Sequence, residues 1–275
     1  MKNWLKNQTV VLTGASGGIG KELCKLLVKK YAVNVIGVGR SEEKMQALCK
    51  ELDGATGSFS YRLFDVGDKS AWQKFYDELS LKGVALTAII HNAGVFPTFN
   101  RALDLPNETL EKVMQTNYYS AVYGTNALQS LLKTEQSGIV FICSSSALCT
   151  VVGTSAYSAS KSAMKGYAEA LQMEEKGKRY VGIVYPGTTA TELFRDDENT
   201  KNSALDLVAM PAEKMAKKIV RRVLRRRRRS VVGWDAKMMS FTAKLMPVLG
   251  LSMIAWVMKK SKSKVFKNVF NDENK

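Results

Sequence analysis

Apolar residues in this chain cluster in short runs, separated by longer stretches in which they recur every third or fourth position. Strand-like runs lie at 8–13, 33–38, 59–64, 86–91, 138–143, 180–185 and 230–233, and helical stretches alternate with them. The run at 9–12 is apolar and largely β-branched and passes into a glycine-rich turn; 21–30 then carries Leu23, Leu26 and Leu27 at helical spacing. Such alternation predicts an α/β architecture: about seven parallel strands in one sheet, right-handed crossovers, and helices on both faces. No period of 20–50 residues suggests repeats.

The glycine turn is where the pattern first carries chemistry. Gly14, Ser16, Gly18, Ile19 and Gly20 stand between the first strand and the first helix. Gly14 allows a tight turn, Gly18 lets the backbone approach a pyrophosphate, and Gly20 lets helix and strand pack closely. The helix N-terminus then offers free N–H groups and a partial positive charge to the anion. A flexible surface turn is the bland alternative, but strand and helix frame these glycines as a phosphate site requires. The second strand ends about twenty residues later at Gly39, Arg40 and Ser41. A site for NAD usually places a carboxylate there to grip the ribose hydroxyl, whereas a guanidinium pairs with a 2′-phosphate. Arg40 and Ser41 therefore favour NADP(H), unless Arg40 merely caps a strand.

A second constellation lies in the helical stretch after 154. Tyr157 and Lys161 are four apart and share a helix face, and Ser144 precedes the tyrosine by thirteen residues. A phenol with a pKa near ~10 is a poor acid–base group at neutral pH, and a neighbouring ammonium brings it toward the working range. Alone the tyrosine–lysine spacing is weak, because it arises by chance in many helices. The single histidine, His91, gives little support to histidine-based triads or multi-histidine metal sites, and no metal site is expected. It reads as a strand-end residue making local hydrogen bonds.

Together these residues resemble the short-chain dehydrogenase/reductase family over roughly residues 7–235. Thr13-Gly14-x-x-x-Gly18-x-Gly20 resembles the family's cofactor motif, Asp65-Val66 its adenine contact, and His91-Asn92-Ala93-Gly94 the segment that closes the central sheet. Asn117, Ser144, Tyr157 and Lys161 match its four catalytic residues, and Pro186-Gly187-x-x-x-Thr191 the segment beside the nicotinamide. His91 replaces the family's usual asparagine and Cys143 its common serine; neither change removes a proposed catalytic group. The resemblance implies a doubly wound Rossmann-type domain in which Ser144 and Tyr157 hold a substrate carbonyl oxygen for hydride attack. Tyr157 gives the proton, Lys161 lowers the tyrosine pKa and binds the nicotinamide ribose, and Asn117 holds a relay water. Homodimers or homotetramers are common in the family.

Composition changes the picture at the C-terminal end. At 275 residues, one domain with a sizeable core is expected, divided here into an enzyme body at 1–235 and an extension at 236–275. The net charge of +16 is concentrated: from Lys214 onward 18 Lys/Arg face 3 Asp/Glu, while the preceding residues hold 23 against 22. Residues 225–229 are an unbroken arginine run, 245–258 is a fourteen-residue stretch without a charge, and Lys259, Lys260, Lys262 and Lys264 follow. Fourteen residues fall short of the ~20 that span a bilayer, and Pro247 with Gly250 is expected to interrupt a single helix. A basic segment beside an apolar one, with Trp234 and Trp256 near its edges, suits attachment to an anionic membrane surface through 225–264. A lid over the substrate cleft or a subunit contact, with the arginines solvated on a helix, is the rival. Nucleic-acid binding is disfavoured because no recognition fold accompanies the arginines. The four cysteines lack metal-ligand spacing, and 1–5 lacks a long apolar leader, so a cytoplasmic setting, peripheral at the inner membrane face, is expected.

The resemblance, with Arg40 and the C-terminal extension, implies an NADP(H)-dependent oxidoreductase acting on a lipophilic carbonyl or secondary alcohol, because family members with such extensions often act on sterol, retinoid, acyl or sphingoid compounds. Phe96, Phe99, Leu148, Val151, Val152, Leu193 and Phe194 are candidate pocket residues, though each would serve equally as core or loop packing, and 188–212 is the candidate substrate loop. A soluble small-molecule or sugar ketoreductase is the alternative enzyme, and a catalytically idle nucleotide-sensing scaffold the alternative class.

Overall fold

The β-branched run near the N-terminus forms strand β1, Thr9–Thr13, because its residues can be buried on both sides of a sheet. In the computed structural model, which describes residues 3–132, 136–191, 209–261 and 263–270, six further strands join it. These are β2 (Asn34–Gly39), β3 (Phe59–Leu63), β4 (Ala88–His91), β5 (Gly138–Ile142), β6 (Tyr180–Pro186) and β9 (Arg229–Val232). All are parallel, in the order β3-β2-β1-β4-β5-β6-β9. Each matches an expected run to within two residues. A separate two-residue pair, β7 (Thr189–Ala190) and β8 (Met210–Pro211), was not legible as periodicity.

Alternation along the strands fills two layers. Val10, Leu12, Ile90 and Val140 face one core with Leu23, Leu27, Met45, Leu48, Met215 and Ile219. Val11, Ile89 and Phe141 face the other with Trp72, Phe75, Leu128, Met164 and Ala168. The first layer is covered by α1 (Gly18–Lys25), α2 (Glu42–Leu52) and α7 (Ala212–Leu224), the second by α3 (Lys69–Leu81), α4 (Asn107–Met114), α5 (Ser120–Leu128) and α6 (Ser155–Glu174). Side-chain caps mark where α2 and α3 begin. Ser41 Oγ accepts from Lys44 N, and Asp68 Oδ1 from Ser70 N and Ala71 N, each cap worth about 1 kcal/mol.

Two helices depart from the expected regular winding. The stretch expected as one helix over 21–30 begins earlier, at Gly18, and widens into a π-helical turn over Leu26–Lys30. The reason is competition for carbonyls: Val33 N takes Leu27 O, Gly57 N takes Val28 O, and Thr56 Oγ1 lies 3.0 Å from both Val28 O and Lys29 O. A second π-helical turn, Gln115–Tyr119, joins α4 to α5 and contains Asn117.

The arginine run does not act as a unit and is not a helical face. Helix α7 ends at Leu224, and Arg226 adopts a positive φ of 48°. Its guanidinium lies 4.5 Å over the Trp4 ring and donates to Gln136 O. Arg229 belongs to β9, lies 5.3 Å over the Tyr185 ring and pairs with Glu169 at 3.6 Å. Beyond β9, α8 (Trp234–Leu245) and α9 (Pro247–Lys260) form a hairpin. The helix breaks at Met246, as expected from Pro247, which opens α9, whereas Gly250 does not interrupt α9; an added methyl there would meet Thr242 of α8. Ile254 and Met258 turn inward to a third apolar cluster with Phe99, Phe266 on the turn that leads into α10 (Lys267–Phe270), and Phe270 at the end of that helix. No helix among the described residues is long and apolar enough to cross a membrane.

Candidate active site

The chain runs from β1 to β2 and β3 on one side of the sheet and returns to β4 on the other, which opens a crevice at the strands' C-terminal ends. A cleft of about 390 Å³ occupies it, a volume usual for ligand sites. Its first wall is the glycine turn. Gly14 has φ of +66°, and a Cβ there would lie 2.9 Å from Ala93 Cα, so only glycine lets β1 turn against β4. A Cβ on Gly20 would come within 1.9 Å of Gly14 O, which rules out any larger residue where α1 leaves the turn. Thr13 Oγ1 accepts from Asn92 N and Ala93 N, and Asn92 Nδ2 donates to Thr13 O, tying the two strand ends together.

The turn fits a dinucleotide pyrophosphate. Gly17 caps α1 without a side-chain hydrogen bond, and the first helical bond is Lys21 N to Gly17 O. The N–H groups before it, on Gly18, Ile19 and Gly20, have no carbonyl four residues back, and Gly18 and Ile19 line the cleft. Ser16, Arg40, Asp65, Val66, Asn92, Ala93, Gly94, Pro186, Gly187 and Thr191 line it too. Gly20 and Ser41 do not: the first is consumed in helix–strand packing and the second in capping α2. Arg40 Nη1 sits 3.5 Å from Asp65 Oδ2, with both side chains more than half exposed. Lys44 joins Arg40 on that rim and was missed in the sequence, because its helical position conceals that it faces the end of β2.

The opposite wall carries Ser144, at the end of β5, and Tyr157 and Lys161, on α6; all three are buried. The Tyr157 hydroxyl hydrogen-bonds Ser144. Lys161 Nζ donates to Ile142 O at 3.4 Å and lies 5.8 Å from the centre of the Tyr157 ring. Burial is the dominant electrostatic effect here. It pushes the Tyr157 phenol up to about 12, which the Ser144 hydrogen bond only partly offsets, and pushes Lys161 down. Desolvation sets the state of the phenol, which stands as a protonated donor. Burial also pushes the Cys143 thiol up to about 11, and Cys143 Sγ donates to Lys161 O.

Asn117 is fully buried behind this wall. Its amide accepts from Val95 N and donates to Val95 O and Ser160 Oγ, and Ser160 Oγ donates to Tyr157 O. The side chain thereby forms a strut between the Val95 backbone and α6. His91 Nε2 lies 3.0 Å from Thr125 Oγ1 and its ring stacks on Phe141; burial drops its pKa to about 3, so it is neutral.

On the substrate side, Phe96 meets Tyr157 edge-on at 5.1 Å and Phe99 at 4.9 Å, and Phe99 meets Phe266 at 5.0 Å. Phe96 and Val151 pack into this cluster, Leu148 packs against the core beneath the sheet, and Val152 faces solvent, so none of these four candidate pocket residues lines the cleft. Leu193 and Phe194, with 192–208 of the expected substrate loop, lie outside the described residues.

A further positioning residue escaped the sequence. Asp235, buried in the first turn of α8, accepts from Thr188 N at 2.6 Å and so holds the loop that follows Pro186-Gly187. Asp235→Ala is expected to loosen that cleft wall. Losing a charge-assisted bond of roughly 1.5–3 kcal/mol should raise the KM for the dinucleotide about tenfold with a smaller fall in kcat. Steady-state kinetics with a melting curve checks this; an unchanged KM beside a lowered Tm would make Asp235 purely structural.

Fold and cleft define a nicotinamide-dependent oxidoreductase with a Rossmann-type sheet. Residues 8–202 match the family model for short chain dehydrogenases, and the chain belongs to that family. It is 30% identical over 255 residues to a 3-ketodihydrosphingosine reductase of Bos taurus, which covers 88% of this chain and 76% of that protein. It is 28% identical over 201 residues to the benzil reductase IRC24 of Saccharomyces cerevisiae, covering 70% of this chain and 76% of that one. The crystal structure of a short-chain dehydrogenase from Streptomyces avermitilis superposes with a TM-score of 0.76 at 20% identity, over 92% of this chain and 97% of that one.

Proposed function

We propose that this protein is an NADPH-dependent reductase of a long-chain, lipophilic ketone of the 3-ketosphingoid type. The observation that carries the reading is the aromatic cluster packed against the Tyr157 ring, which runs from Phe96 through Phe99 to Phe266 of the C-terminal extension. An apolar surround of this kind beside the phenol suits an alkyl chain attached to a carbonyl held there. The similarity to a 3-ketodihydrosphingosine reductase supports the choice of chain, because it spans 88% of this sequence.

A bound nicotinamide dinucleotide supplies hydride. The glycine turn and the N-terminus of α1 hold its pyrophosphate, Arg40 and Lys44 neutralise a 2′-phosphate, and Lys161 binds the ribose beside the ring. Ser144 and Tyr157 donate hydrogen bonds to the substrate carbonyl oxygen, and Tyr157 Oη releases its proton to that oxygen as negative charge develops. Asn117 and Ser160 hold the α6 backbone so that the phenol keeps its position.

Purified protein with NADPH and 3-ketodihydrosphingosine is expected to yield the 3-hydroxy product, with kcat/KM at least about 10²-fold above that for a short-chain ketone. The yeast similarity motivates a second reading, a soluble reductase of compact aromatic diketones. Benzil turned over faster than the long-chain ketone would favour that reading and remove the sphingoid one.

A further inference from the structure

The part of α7 that does not touch the sheet is a row of cations. Met215, Ala216, Ile219, Val220, Val223 and Leu224 are buried, so Lys218, Arg221 and Arg222 share the opposite face at spacings of three and four, and Arg225 follows at the C-terminal cap of the helix. Helix α8 then brings Trp234 and Lys237 against them. Together with the end of β9 these residues line a second pocket of about 400 Å³ that shares no lining residue with the catalytic cleft, and among the described residues no carboxylate lines it. The carboxylate nearest in sequence, Asp235, is buried and bonded to Thr188 N. Five cationic side chains and an indole around one concavity are the donor set for a phosphate-bearing anion.

What continues from this pocket identifies the source of the phosphate. Along α8, Trp234, Met238, Phe241 and Leu245 recur at helical spacing, and along α9 so do Val248, Leu249, Met253, Trp256 and Val257; every one is more than half exposed. The other side of α9 is occupied by Ile254 and Met258, packed into the aromatic cluster. An α9 that is apolar on both its packed and its outward side suits a non-aqueous environment. Helix α9 contains no acidic residue and ends in Lys259 and Lys260, the latter 5.9 Å from the Trp256 ring. Cations at the rim and tryptophans between them and the apolar stripe are what a monotopic interfacial segment presents to lipid.

We infer that the pocket lined by Lys218, Arg221, Arg222, Arg225, Trp234 and Lys237 receives the phosphate headgroup of an anionic phospholipid, while the α8–α9 hairpin inserts its outward stripe among the acyl chains. This site lies outside the oxidoreductase reading and does not rest on it. The occupant is an anionic bilayer surface rather than a second copy of the chain, because a second copy would set one cationic pocket and its lysines against another.

The test is co-sedimentation of the full chain with phosphatidylcholine vesicles, with and without a phosphoinositide, in the wild type, Arg221→Glu/Arg222→Glu and Phe241→Asp/Val248→Asp. All three proteins are checked for an unchanged circular dichroism spectrum and melting point, since Arg221, Phe241 and Val248 are exposed and Arg222 is only half-buried. Wild type is expected to bind the anionic vesicles at least about tenfold more tightly than the neutral ones. The arginine reversal should erase that preference, and the stripe variant should abolish binding to both. Equal binding to both vesicles, or an arginine variant that still prefers the anionic ones, overturns the pocket. Stabilisation by inositol phosphate without vesicle binding assigns the pocket to a soluble anion and overturns the bilayer occupant. A dimer in light scattering that Phe241→Asp/Val248→Asp splits, again without vesicle binding, makes this face a subunit contact instead.

Discussion

Tyr157→Phe is expected to lower kcat for ketone reduction by roughly 10³-fold while leaving dinucleotide binding within about twofold. The substitution removes one oxygen from a buried site and keeps the ring that packs on Phe96, so the fold should tolerate it. What disappears is the proton donor and half of the carbonyl grip; Ser144 remains to hold the oxygen but has no route to deliver a proton as readily. The pH dependence gives an independent check. Burial raises the phenol to about 12, so in the free enzyme the donor stays protonated through the neutral range. Reduction should therefore hold level with rising pH until the phenol ionises, whereas alcohol oxidation, which needs the phenolate to accept a proton, should rise with pH over the same interval. Both limbs should vanish in the phenylalanine variant. Stopped-flow cofactor fluorescence across pH, with a parallel titration for Kd, separates the two effects. A variant that turns over like the wild type, with the same profile, would assign the proton to another group and reopen the idle-scaffold reading.

Arg40→Asp should reverse the choice of cofactor. Removing a charge-assisted contact to a 2′-phosphate and adding a repelling carboxylate should weaken NADPH binding about 10²–10³-fold, with NADH changed by less than about threefold. The native partner of Arg40 does not blunt this effect. Its pairing with Asp65 at 3.5 Å joins two side chains that are more than half exposed, and such pairs contribute little. Lys44, on the same rim, sets the size of the residual preference, so Arg40→Asp/Lys44→Ala should go further than the single change. Titration of both variants with both cofactors decides the matter; equal losses for NADPH and NADH would remove the case for 2′-phosphate recognition.

The strands and the glycine turn were readable because their causes are local. A strand buried on both faces must be apolar along its length, and β1, β4, β5 and β6 are buried at nearly every position. The turn at Gly14 admits only glycine, and Tyr157 and Lys161 meet on one wall because a helix repeats every 3.6 residues. The electrostatics of that wall were not readable in the same way. Spacing places an ammonium near a phenol, but the state of the phenol depends on how much water the surrounding layers exclude, and here burial is the dominant effect on it.

What the sequence by itself determined is the set of choices that neighbouring residues impose on the backbone: the order of strands and helices, the glycine turn, and which chemical groups reach the ends of β5 and α6. Only the tertiary structure decided which distant groups meet. It placed Asp235 on the Thr188 backbone, Asn117 on Val95, Phe266 on Phe99, and Lys237 beside the cations of α7, and it divided a continuous arginine run among a cap, a stacking contact and a strand. Periodicity records which side of an element is buried, and packing alone determines what lies on the far side of that contact.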